Sequence, residues 1–116
     1  MKIAEVARIL SADMLCCNDS SGFEVTTAFG ADMMSDVLAY MDEETLLLTG
    51  LSNAHVIRTA EMLDLRCVVF VRGKTVSEEI LEHAQDHGIV LLSTKKTLYE
   101  SCGLLYQAGL APVQAR

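Results

Sequence analysis

"TLLLTGLSNAHVIRTAEMLDLRCVVFVRG", residues 45–73, sets a short unbroken apolar run, a segment of helical period and a second apolar run in line. Apolar runs without alternation describe strands covered on both faces, and amphipathic segments between them describe the covering helices. The same alternation continues through "TVSEEILEHAQDHG", "IVLLST" and "TLYESCGLLYQAG". From residue 45 onward the chain therefore reads as βαβαβα, a parallel sheet with right-handed crossovers. In the first of these helices Val56, Ile57, Ala60 and Leu63 share the core face, with His55, Arg58 and Met62 opposite.

Local signals place the helix ends. Thr75 with Glu78 and Thr97 with Glu100 have capping-box spacing, and Gly88 and Gly109 stand where a helix would end in a left-handed residue. In the first 44 residues, "IAEVARIL" predicts a short amphipathic helix, "DMLCC" a strand and "NDSSG" a turn. "FEVTTAFG" predicts an alternating strand with Phe23, Val25, Thr27 and Phe29 on one face, and a small helix follows from Ser35 to Tyr40 with Ser35 as its N-cap. The only proline is Pro112, so no proline-rich linker divides the chain. The expectation is one domain over residues 1–116 of the α/β class: a three-layer α/β/α architecture with a mainly parallel sheet and a smaller N-terminal helix and strands.

An apolar content of 51% in 116 residues is ample for one core. Sixteen acidic against nine basic side chains, a formal charge of −7, would repel a phosphate backbone at long range, which excludes nucleic acid as the natural partner. No window approaches the ~18 uninterrupted apolar residues of a membrane span. Glu5 and Arg8 interrupt the apolar N-terminus, against a signal peptide, so a cytoplasmic protein is expected. Cys16, Cys17, Cys67 and Cys102 lack C-x-x-C spacing and read as reduced, mostly buried thiols; the adjacent Cys16-Cys17 pair is the one place for a redox switch.

Candidate catalytic motifs fail on inspection. Gly73-Lys74-Thr75 between an apolar run and a helix matches the tail of a P-loop, but the glycine that should begin the loop is replaced by Val68, inside the strand. His83 and His87, four apart on one helix, have the spacing of two metal ligands, yet "HAQDH" lacks the metalloprotease glutamate and offers no third ligand; packing and helix-end capping account for them, and no metal is assigned. Asp32 and Asp36 read as a solvated acidic surface rather than a general acid/base pair. No Gly-x-Ser-x-Gly elbow is present. The reading is of a non-enzyme with no cofactor.

What remains is the edge where the carboxyl ends of the strands gather. Ligands of parallel sheets bind there, against helix N-termini. The candidate ligand-binding residues are Gly50, Ser52, Asn53, Arg72, Gly73, Lys74, Thr75, Ser93, Thr94 and Thr97. Arg72, Lys74, Lys95 and Lys96 bring nearly half of the nine basic side chains to this rim of an acidic protein, which suits a small anion such as a phosphorylated metabolite or nucleotide.

"FGADMMSDVLAY", "LLLTGLSNAHVIRTAEMLDL" and "VVFVRGKT" together resemble the DRTGG domain, over most of the chain. This module is found alone, within some bacterial phosphate acetyltransferases and between the CBS domains of some regulatory pyrophosphatases; the chain is also similar to the N-terminal, non-catalytic domain of HPr kinase/phosphorylase. Where the family carries Asp-Arg, Ser52-Asn53 stands here, and its Thr-Gly-Gly is matched by Val71-Arg72-Gly73. The resemblance implies a regulatory or sensory module without catalytic residues of its own, and a homodimer. Met62, Met33, Met34, Met41, Tyr99 and Tyr106 supply adaptable apolar surface for self-association. The alternative is a homodimeric protein-interaction module with no small-molecule ligand, whose partner is another regulatory protein.

Overall fold

Burial dictates the centre of the sheet. In the computed structural model, which describes residues 1–16 and 22–114, the three apolar runs are the parallel strands β3 (Thr45–Thr49), β4 (Cys67–Phe70) and β5 (Val90–Ser93). Every one of their residues except Ser93 is buried. β2 (Thr27–Gly30) adds in parallel to β3, and β6 (Ala111–Pro112) in parallel to β2. The only proline thus lies on an outer strand, where a missing N–H costs no central ladder bond. β1 (Asp13–Cys16) runs antiparallel to β5 and completes the order β1-β5-β4-β3-β2-β6.

Crossover handedness sets the layers. α2 (Met34–Tyr40), α3 (Ala54–Met62) and α4 (Glu78–Asp86) link β2 to β3, β4 and β5 in turn, each step moving one strand in the same direction. Right-handed connections must put all three on one face, where Val37, Ile57 and Ile80 pack over Leu47, Val68 and Phe70. α5 (Leu98–Gln107) carries the chain back across the sheet to β6, so it lies on the other face beside α1 (Ile3–Leu10). There Ile3, Val6 and Leu105 cover Leu46, Leu48 and Val69. The expected three-layer α/β/α architecture is the one observed. Among the described residues no helix is long and apolar enough to cross a membrane.

Three local expectations are corrected. α4 is capped by Ser77, whose Oγ accepts from Ile80 N–H, and not by Thr75. Val76 before the cap and Leu81 in the first turns pack against the same core cluster, a hydrophobic staple that moves the helix start two residues along. α2 starts from Met33, with Ser35 inside the first turn, because Met34 must reach the core. Phe23 and Val25 pack on the α1/α5 side while Phe29 packs on the other. Residues 23–25 pair with the N-terminal segment, through Val25 N–H to Met1 O and the Lys2–Glu24 bridge, and the chain joins β3 only from Thr27, so one alternation does not run through. The thiol of Cys16 donates to Ile89 O at 3.3 Å, and Cys17, with most of the expected turn, lies outside the described residues.

Candidate functional site

β4 hands the chain to α4 on one face, and its neighbour β5 hands it to α5 on the other. Their outgoing loops part above the carboxyl ends of the two strands, the switch point at which open α/β sheets bind ligands. A cleft of about 700 Å³ opens there. Its base is tied by Arg72 N–H donating to Lys96 O and Gly73 N–H donating to Thr94 O, both at 2.8 Å. The turn takes two successive left-handed residues, Arg72 with φ 61 and Gly73 with φ 66. Only the glycine adopts this without steric cost.

Of the candidate residues, Gly73, Lys74, Thr75, Ser93 and Thr94 line the cleft, together with Lys95 and Lys96. Among the described residues Lys74 and Lys95 are exposed and make no ion pair, whereas Lys96 lies 3.8 Å from Glu100. Two hydroxyls are engaged inside the protein. Ser93 Oγ donates to Lys74 O at 3.0 Å, and the buried Thr94 Oγ1 donates to Leu10 O at 2.7 Å while accepting from Lys96 N–H. Leu15, Val76 and Leu81 add an apolar wall, and Ser11 and Asp13 close the side formed by the end of α1 and the start of β1. Ser11 and Asp13 carry no local sign of this role, because antiparallel pairing of Asp13 with Ser93 brings them here.

Gly50, Ser52 and Asn53 sit apart, at the end of β3. Asn53 caps α3, its side chain accepting from His55 and Val56 N–H, and Ser52 is half-buried beside it. Asp32 Oδ1 accepts from Gly50 N–H at 2.8 Å and from Thr49 Oγ1 at 3.0 Å, so this carboxylate fastens a loop and does not pair with Asp36. Arg72 turns away from the cleft, its Nη2 donating to Gly50 O at 3.3 Å. Thr97 caps α5 through Glu100 N–H, as its spacing predicts. The single rim is in fact two places, an open cleft at β4/β5 and a closed loop end at β3. Nor do bare helix N-termini supply the charge, since α4 carries Glu78 and Glu79 in its first turn.

The DRTGG domain matches residues 5–108, from within α1 to the end of α5, short of the edge strand β6. The chain belongs to the DRTGG domain family. Its fold is similar to part of a solved structure, the CBS and DRTGG domains of the regulatory region of a Clostridium perfringens pyrophosphatase complexed with the activator diadenosine tetraphosphate. The TM-score is 0.77 at 19% identity, over 92% of this chain and 46% of that one, so this chain spans about half the length of its structural neighbour. No curated protein matches. In this DRTGG domain the turn Val71-Arg72-Gly73 forms the floor of the cleft, and Ser52-Asn53 leads into α3.

A second cluster lies at the far ends of α3 and α4, where Glu61 meets both His83 and His87. His83 Nε2–H donates to Glu61 Oε2 at 2.8 Å, and that bond holds the carboxyl below its ordinary value. The His87 imidazole is pushed up, chiefly because its Nδ1–H donates to His83 O at 2.9 Å. Glu61 escaped the sequence reading because nothing in its own helix marks it; only α3–α4 packing sets it against a histidine 22 residues away.

Proposed function

We propose that this DRTGG domain is a non-catalytic regulatory module that takes a small phosphorylated ligand, of the nucleotide class, in the cleft at the β4/β5 switch point. The observation that carries the reading is Lys74 and Lys95, two cations without an ion pair among the described residues, facing a cleft in a protein of net charge −7. A volume of about 700 Å³ suits a nucleotide, and its features divide as such a ligand would need. Lysines would meet phosphate, Leu15, Val76 and Leu81 offer an apolar wall to a base, and Asp13 offers an acceptor to a sugar hydroxyl or exocyclic amine. The neighbouring pyrophosphatase regulatory region, complexed with a nucleotide activator, supports the same class of ligand.

Calorimetric titration with diadenosine tetraphosphate, ATP, AMP and acetyl phosphate tests it. Saturable binding of at least one, weakened roughly 10-fold or more by Lys74→Ala or Lys95→Ala, is expected, since a charge-assisted hydrogen bond contributes about 1.5–3 kcal/mol. Silence across the panel, or affinity unchanged in both variants, would overturn the reading.

The alternative of a homodimeric interaction module is favoured by α5, where Tyr99 is 91% and Tyr106 67% exposed at a spacing that puts both on one face. Met62 and Met33 are exposed as expected of such a surface, but Met34 and Met41 are core. A dimer by light scattering that Tyr99→Asp converts to monomer would support it.

A further inference from the structure

α3 and α4 end side by side at the amino-terminal ends of β4 and β5, the edge opposite the cleft. The spacing of His83 and His87 stacks their rings, with centroids 4.5 Å apart. Glu61 faces both, its Oε2 2.8 Å from His83 Nε2 and its Oε1 2.9 Å from His87 Nε2, and the three ligand atoms all lie within 4.8 Å of one another. His87 is the telling ring. Its Nδ1 meets the carbonyl of His83, its Nε2 meets a carboxylate oxygen, and both partners can only accept. With Glu61 ionised, this geometry sets Nε2 to carry either a second proton or a cation. A main-chain carbonyl on Nδ1–H is also the supporting bond that fixes a metal-binding imidazole with Nε2 free to coordinate.

We infer that Glu61, His83 and His87 form a binding site for a divalent transition-metal ion of the zinc class, joining α3 to α4. An ion at about 2.0–2.2 Å from each donor would displace the protons now shared between carboxylate and imidazoles, which shed them to solvent on binding. Two imidazoles and one carboxylate, with no thiolate, suit zinc, nickel, cobalt or copper and disfavour magnesium or calcium. A fourth position stays open toward a depression of about 260 Å³ that Glu61 and His87 share with Asp64 and Arg66, so water or a donor from another molecule completes the shell. Arg66 is the opposing charge, and it is drawn aside over the Phe23 ring, 5.2 Å from the centroid. The sequence assigned no metal because a pair of histidines four apart lacks a third ligand; the fold supplies it from the preceding helix.

The test is titration of the EDTA-stripped full chain with zinc chloride and nickel chloride at neutral pH, under a phosphine reductant, with thermal melting in parallel. One ion per chain is expected, with a rise in melting temperature that EDTA reverses. His83→Gln, His87→Gln and Glu61→Gln should each weaken binding at least about tenfold, since losing even a supporting group costs 10–100-fold. His55→Gln, on α3 outside the cluster, should bind as wild type. All three ligand side chains are partly exposed, so each variant should still fold and melt cooperatively in EDTA; if one does not, the other two decide. No saturable binding, or binding that survives all three substitutions and disappears on cysteine alkylation, would overturn the site.

Discussion

The guanidinium of Arg72 lies against Gly50, its Nη2 donating to the glycine carbonyl at 3.3 Å and occupying the space a Gly50 side chain would need. One residue thereby links the β3 end to the turn beneath the cleft, while its own backbone sits at φ 61. Arg72→Gly and Arg72→Ala both remove the link, but only alanine retains the left-handed strain. The glycine variant should be the more stable of the two by about 1 kcal/mol, read from urea midpoints. Equal midpoints would show that the turn relaxes when the side chain is lost.

Thr94 holds the cleft floor to α1. Its hydroxyl is buried between Leu10 O and Lys96 N–H. Thr94→Val keeps the shape and strands both partners, so it should cost about 1–3 kcal/mol, whereas Thr94→Ser should cost far less. Urea denaturation of the two variants separates the hydrogen bonds from the packing.

In metal-free protein the Glu61 cluster should give stability a pH window. The bond from His83 depresses Glu61, so its contribution is present above the ordinary carboxylate range and is lost as pH falls through the depressed value. The carbonyl of His83 raises His87, with Glu61 and Asp86 adding to the effect, so that contribution is present below the ordinary imidazole value and is lost as pH rises through the raised one. The gain over Glu61→Gln should therefore peak between about pH 5 and 6. Urea midpoints taken in EDTA across pH check this; a gap that keeps widening above neutrality would contradict it.

Thiol reactivity should follow depth. Burial pushes the Cys67 thiol far up, and the partly buried Cys102 is raised by the same cause. Mass-mapped alkylation of native protein should leave Cys67 unlabelled and Cys102 slow, with full labelling only in denaturant. Rapid native labelling of Cys67 would mean that β4 opens readily.

The sequence by itself determined the alternation of β3, α3, β4, α4, β5 and α5, because continuous apolar runs and helical periodicity are properties of neighbouring residues. It also determined the cap at Thr97 and the left-handed ends at Gly88 and Gly109, where a side chain or a missing Cβ acts within one turn. Tertiary structure decided what depends on distant partners. Val76 and Leu81 packing on the core chose Ser77 over Thr75 as the cap. Pairing with the N-terminal segment split Phe23 and Val25 from Phe29. Opposite crossover directions after β4 and β5 opened the cleft, and antiparallel β1 brought Asp13 to it. Helix packing carried Glu61 to His83 and His87. A local pattern sets how each segment folds, but a site is a meeting of segments, and the energy that makes them meet is burial summed over the whole core.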